Sequence, residues 1–363
     1  PFQNNFDELF NIFCLIRPKF ADKRTSGLSS ARGWESKARA KWASLTSQIE
    51  QSGGDDRLNE ERIDRVWREI APFVHVHKGS ILQRKLPGLK DSLVLLEPLE
   101  MQKDLLKKID EALNDRGFNW EQAVTLACVH PSLLCSKLHI PSLVDVVDRR
   151  MLDSVQSDPE AGAKTKFVME LIRLCDLIGE KVLVFSQFIP PLNMIIKLLE
   201  AEMHWREGME ILVIQGQTET DRRRASIRDF NDPRSESKIM LASTKACSEG
   251  ISLVGASRVV LLDVGWNPSA EWQAICRAYR LGQEKVVHVY HLLASGTNEE
   301  EKYGRQAAKY RCSELLFQSA DPSDHAGKMP PTYSDVIDKV LEQMVEGDKL
   351  KHIINKVISI ERF

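Results

Sequence analysis

Between Lys181 and Leu293 five short apolar runs recur: KVLVFSQF, EILVIQG, KIMLAST, VVLLD and VVHVYHLL. Amphipathic segments of helical period stand between them, namely TKFVMELIRLCDLIGE ahead of the first, then PLNMIIKLLEAE, ETDRRRASIRDFND and EWQAICRAYR. A strand that faces water alternates in polarity, whereas a strand covered on both faces reads as a continuous β-branched run. Such runs alternating with helices predict a parallel α/β sheet with helices on both faces. A further strand is expected over SLVLLEPL, closed by Pro98, with helices over EMQKDLLKKIDEAL and NWEQAVTLACVHPSLL. Ahead of these, Leu9, Phe10, Phe13 and Ile16 recur at helical spacing, and ERIDRVWREIAPF predicts a helix that stops before Pro72. The basic tail GDKLKHIINKVISI is expected to be helical, with Ile353, Ile354, Val357 and Ile358 forming an apolar docking face.

The chain's 363 residues suffice for two to three domains, and the net charge of -2 gives no global reason to expect nucleic acid. A nucleic-acid surface would have to come from local clustering. Seven scattered cysteines without C-x-x-C spacing argue for reduced thiols in an intracellular compartment and against a zinc knuckle. No apolar run reaches the ~18 residues of a membrane span, so no membrane partner is expected. With neither an initiator Met nor a signal-like segment, the sequence reads as a piece of something longer.

In parallel sheets, chemistry collects in loops at the carboxyl ends of the strands. Ser243, Thr244 and Lys245 follow a predicted strand directly, and Gly250 shares their loop. Small hydroxyls and a glycine there suit phosphate binding through backbone N–H groups, and equally suit a plain strand-to-helix turn. In EWQAICRAYRLGQ, Gln273, Arg277 and Arg280 sit at i, i+4 and i+7, within about 40° on a helix. Two guanidiniums on one face repel unless an anionic group lies between them, and arginine grips phosphoryl oxygens bidentately. Acidic neighbours are few, Glu271 and Glu284. Yet the chain contains no G-x-x-x-x-G-K-[ST] and no acidic pair of the magnesium-binding type after a strand. An arginine-finger face without its own P-loop belongs to a composite site that another lobe completes.

STKACSEGISL, LLDVGWNP and QAICRAYRLGQ, in that order and spacing, resemble motifs V, Va and VI of the Swi/Snf-type helicase-like ATPases, members of helicase superfamily two. KVLVFSQF resembles motif IV of their second RecA-like lobe, CVHPSLL the element upstream of it, and PFQNN motif III of the first lobe. RPKF, LPGL, KACSEGISLVGASRVVLLD and RLGQEKVVHVYHLL look most like the plant CLASSY group within that family. The resemblance implies a RecA-like α/β lobe preceded by a helical insertion and followed by a helical tail. It places the end of the first lobe at 1–20, a helical protrusion and linker at 21–85, the second lobe at 86–316 and a helical brace at 317–363.

The resemblance also implies roles. Arg277 and Arg280 would be arginine fingers on ATP, held with Mg2+ mainly by the chain's own first lobe, while Gln273, Gly250 and Glu249 line the same cleft. Ser243, Thr244 and Lys245 would lie near the nucleic-acid backbone, with Gln187, Trp266 and Asn267 beside them. Implied partners are double-stranded DNA in chromatin and the RNA polymerase IV complex of small-RNA-directed DNA methylation, in the nucleus. The family loop has two glycines where Cys247 and Ser248 stand and a leucine where Glu249 stands, which leaves a second reading open: a catalytically silent helicase-fold scaffold for polymerase and DNA.

The remaining features have ordinary readings. His75 and His77 lack a third ligand and read as polar positions, so no metal site is expected. Cys128 and His130 read as packing and capping residues. The arginines of DRRRASIRDF read as a solvated helix because Asp221 and Asp229 are mixed among them. The basic stretch 23–41 is nearly free of acids and could meet DNA or a protein partner.

Overall fold

The computed structural model describes residues 6–16, 39–46, 56–75, 85–113, 115–246, 250–318 and 337–360. Two compact units emerge. One comprises residues 1–80, 266–269 and 304–330, and the other 81–265, 270–303 and 331–363.

In the smaller unit, helix α1 (Phe6–Ile16) buries Phe6, Leu9, Phe10 and Phe13, the i, i+3, i+4, i+7 stripe of its sequence. Helix α2 (Asp56–Ile70) supplies Ile63, Val66 and Ile70 to the same core. Trp42 lies fully buried among them, and its indole donates to the Phe6 carbonyl at 2.8 Å. As expected, α2 stops ahead of Pro72, whose ring cannot continue the ladder. PFQNN, His77 and most of the basic stretch 23–41 lie outside the described residues. Within that stretch Arg39 donates to Asn11 Oδ1 at 2.7 Å and stacks over Phe10, so this cation serves packing.

The larger unit is built on a seven-stranded sheet: β1 (Leu89–Leu96), β2 (Lys181–Ser186), β3 (Ile211–Ile214), β4 (Ile239–Ser243), β5 (Ala256–Leu261), β6 (Val287–Ala294) and β7 (Ile354–Ile360). Their order is β3-β4-β2-β5-β6-β1-β7. Every pairing is parallel except that of β7, which lies antiparallel along β1. Helices α3 (Glu100–Ala112) and α4 (Phe118–Val129) follow β1 and pack together around Leu105, Ile109, Val124 and Ala127. Then α5 (Ala163–Leu177), α6 (Ile189–Met203), α7 (Thr220–Asn231) and α8 (Pro268–Ala278) alternate with the strands. Side chains alternate across the pleat: Val182 and Val184 of β2 meet α5 and α6, whereas Leu183 and Phe185 join the core built with Phe230 of α7 and Ile275 of α8. Every residue of β5 and β6 is buried, the polar Ser257, Arg258, His288 and His291 among them.

Helices α9 (Asn298–Gln318) and α10 (Lys339–Glu346) complete the described chain. The tail docks on the lobe as expected, but GDKLKHIINKVISI does not form a helix. After α10 it becomes β7, hydrogen-bonded to β1, and Ile353 is buried. Three isoleucines and a valine within Ile354–Ile360 favour the pleat, and the open edge of β1 offers a ladder that an isolated helix would forgo. The tail is pinned at its other end by Asp338, which caps α10 through Leu341 N. The Asp338 carboxylate also accepts from Arg258 Nη1 at 2.5 Å and from the Tyr290 hydroxyl at 2.6 Å. Arg258 donates in addition to Glu180 at 2.6 Å, so the buried cation is matched by two carboxylates.

Candidate nucleotide and nucleic-acid site

The carboxyl ends of β2 and β4 lie side by side, Ser186 opposite Ser243, with that of β5 next to β2 on its other side. The chain leaving each is tied to its neighbour. Asp263, two residues beyond β5, accepts from Gln187 N at 3.0 Å and from Gln187 Nε2 at 3.0 Å, and takes a short hydrogen bond from the Ser186 hydroxyl. Thr244 N donates to the Ser186 carbonyl at 3.0 Å, and Ser243 Oγ accepts from Ala246 N at 3.2 Å. Gln187 is thus half-buried and fixed by a carboxylate, Thr244 is half-buried, and Lys245 is exposed. Gly265 N donates to Glu271 Oε1 at 2.7 Å, and a Cβ on Gly265 would come within 3.2 Å of that oxygen. Glycine therefore lets helix α8 approach the loop closely.

Asp263 is the residue that motif reading passed over. Its signal was present: an acid buried to 6 % exposure directly after the all-apolar run VVLL must have dedicated donors.

The arginines form a separate cluster. Because β5 and β6 are parallel, α8 runs back along the sheet between them and delivers its last turn near the start of β5. There Arg277 Nη1 donates to the Ile251 carbonyl at 3.4 Å, Arg277 Nε to the Gln273 carbonyl at 2.9 Å, and Arg280 Nη1 to the carbonyls of Gly250 and Ile251 at 3.0 and 3.3 Å. Leu253 N donates to the Arg277 carbonyl at 2.8 Å. Gln283 is buried and its amide donates to the carbonyls of Val254, Ala256 and Ala278. The single helical face expected for Gln273, Arg277 and Arg280 is broken, because α8 ends at Ala278 and Gly282 turns with φ +101°. Arg280 joins the cluster from the turn. Gly250 sits with the arginines and Ser243 with the strand ends, and the loop between them carries Glu249, outside the described residues.

Trp266 and Asn267 belong to the smaller unit. Trp266 is exposed, and Asn267 Oδ1 accepts from Ser269 N at 3.0 Å at the start of α8. On α7, Arg222 pairs with Glu207, Arg224 with Asp221 and Arg228 with Asp229, while Arg223 donates to the Ala246 carbonyl. His130 is buried and its Nδ1 accepts from Ser132 N, capping the turn it opens. Burial lowers its pKa from the ordinary histidine value. Among the described residues no group of three His, Cys, Asp or Glu is placed to hold a metal ion, and no helix is long and apolar enough to cross a membrane.

The model of the helicase conserved C-terminal domain matches residues 163–282, which take in β2 to β5, the 243–255 loop and α8. The chain is 44% identical over 364 residues to the SNF2 domain-containing protein CLASSY 3 of Arabidopsis thaliana, covering 99% of this chain. The chain belongs to the Swi/Snf helicase-like family. CLASSY 4 of the same plant is 46% identical over 363 residues and 98% of this chain. The transcriptional regulator ATRX homolog of Caenorhabditis elegans is 36% identical over 184 residues, 45% of this chain and 14% of its own length. The chain spans 25% of CLASSY 3 and 30% of CLASSY 4. The matched C-terminal helicase domain holds β2 to β5 of the parallel sheet, with the clusters of Asp263 and Arg277 at either end of α8.

Proposed function

We propose that this lobe is half of the motor of an ATP-dependent DNA translocase, in which Arg277 and Arg280 are arginine fingers on ATP bound mainly by a first RecA-like lobe. One observation carries the reading: two guanidiniums converge on the Gly250–Ile251 carbonyls in a chain that has no P-loop of its own. Neutral carbonyls are weaker acceptors than a phosphoryl group, so closure of the two lobes on nucleotide would exchange one for the other. Gln273, Gly250 and Glu249 would line the cleft. The donor set here, guanidiniums and an amide, fits anionic oxygens rather than a divalent cation, so Mg2+ would be held by the first lobe, where it neutralises charge on the β- and γ-phosphates.

Ser243, Thr244, Lys245 and Gln187 would face the nucleic-acid backbone, with Trp266 and Asn267 supporting that contact. The 243–255 loop links them to the fingers, so strand engagement at one end would be felt at the other. Duplex DNA in chromatin, the nucleus and the RNA polymerase IV complex are the setting that the similarity to the CLASSY proteins supports.

The test is ATP turnover by the full-length protein, with and without duplex DNA, beside an Arg277→Ala/Arg280→Ala variant. DNA-stimulated turnover that falls ~10³-fold or more in the variant supports the motor. A second reading, a silent scaffold for polymerase and DNA, is favoured by the bulkier residues at Cys247 and Ser248 and the negative charge at Glu249. It gains if the parent turns over no ATP and the variant binds DNA and polymerase as the parent does.

A further inference from the structure

Three buried side chains on three elements meet at one point that the motor reading leaves unused. His291 of β6 presents Nε2 to Asp91 Oδ1 of β1 at 2.9 Å and Nδ1 to Glu271 Oε2 of α8 at 3.7 Å. The ring is 3% exposed, and Tyr303 of α9 packs edge-on against it with centroids 5.8 Å apart. The other Glu271 oxygen is the one that receives Gly265 N. The backbone of His291 is paired on both sides, opposite Leu93 of β1 and Leu261 of β5, so its Cα is fixed by two ladders. Glu271, by contrast, sits on the helix whose far end carries Arg277 and leads into the turn that holds Arg280.

From this geometry we infer that His291 is a positioning residue: it locks the start of the arginine-bearing helix to the sheet by holding Glu271 between its ring and the Gly265 amide. One imidazole offers two ring nitrogens about a fixed plane, and Asp91 orients that plane from the neighbouring strand. One Glu271 oxygen is fixed by the Gly265 amide at 2.7 Å, and the other faces the His291 ring at 3.7 Å, an ion-pair rather than a hydrogen-bond distance. The helix register relative to β5 and β6 is therefore set at Glu271, and the fingers inherit it about two turns away. Only the consequence for turnover rests on the proposed role of those arginines.

Hydrogen exchange by mass spectrometry on the full-length protein tests the lock without reference to ATP. In His291→Leu, amides of 263–275 should lose protection about tenfold or more, while peptides from β2 and β4 keep theirs. His291→Arg, whose guanidinium can donate to both carboxylates, should restore protection to near the parent value. Uniform deprotection, or none, in His291→Leu would overturn the assignment, as would failure of the arginine variant to rescue. If the leucine variant does not fold, His291→Gln, which keeps one donor, should show the same localised change at smaller amplitude, and parent-like exchange there overturns it. In ATP turnover the leucine variant should lose kcat roughly tenfold with KM little changed. Localised exchange with unchanged kcat would remove the finger helix from the consequence, and a parent with no turnover would sink the motor reading while the exchange result stands.

Discussion

Arg280 reaches back thirty residues to hold the Gly250 carbonyl at 3.0 Å, and Arg277 holds the next carbonyl beside it at 3.4 Å. Two cations that should repel are thus reconciled by two peptide dipoles, at the carbonyl-rich end of a helix where positive charge is favoured. The same contacts make the glycines of this loop unequal.

Gly250 is exposed, and a Cβ there would meet nothing nearer than Arg277 Nη1 at 4.0 Å. Gly250→Ala should therefore leave stability within about 0.5 kcal/mol of the parent in a urea titration. Any loss of nucleotide affinity in that variant then reports crowding of the cleft rather than misfolding.

Gly255, five residues on, is hemmed in. A Cβ would overlap the Phe230 carbonyl oxygen and lie 3.0 Å from its carbon, while Gly255 N donates to Asn231 Oδ1 at 2.9 Å. Gly255→Ala must push α7 away from the entry to β5. A loss of roughly 1–3 kcal/mol, or insoluble protein, is expected from the same titration.

The Asp338 pin carries a pH signature. Burial alone would raise its pKa, but the His288 ring, 3.3 Å from Oδ2, and the Arg258 guanidinium hold it well below the usual carboxylate range. A depressed folded pKa means that the stabilisation is fully present above the unfolded pKa and is lost as pH falls. Asp338→Asn leaves Arg258 partly unmatched and should cost about 3–5 kcal/mol at pH 7. That gap should begin to narrow below about pH 4, measured by denaturant titrations across pH. A gap that stays constant to pH 3 would show that Asp338 is not the paired carboxylate.

The thiols sort by depth. Cys128 and Cys175 are fully buried, and burial pushes the Cys175 thiol up to about 12 and that of Cys128 higher still. Neither should react with a maleimide at pH 8 until the lobe unfolds, whereas half-buried Cys276 should be labelled in the native protein. Peptide mass spectrometry after pulse labelling gives both answers.

The parallel sheet was legible because short apolar runs such as ILVI and IMLAS leave few alternatives once helices separate them. Its last strand was not. Ile353, Ile354, Val357 and Ile358 satisfy a helical stripe as well as they satisfy half of an edge strand, and only the open side of β1 decides between the two. The meeting of Arg277 and Arg280 was legible through spacing, but the helix was expected to run two residues too far, and Gly282 held the clue. The Asp263 and His291 contacts join residues 76 and 200 positions apart, which no local pattern encodes.

Strand β1 has a timing problem that follows from its partners. Leu89–Leu96 pairs with Val287–Ala294, and then with β7 further on. On a ribosome adding 5–20 residues per second, the first strand of this sheet emerges roughly 10–40 s before its nearest neighbour exists. The β2–β5 block can assemble in that interval, with the growing chain still carrying an unmatched apolar strand at its other end. A nascent chain stalled between β5 and β6 is the species most exposed to mispairing.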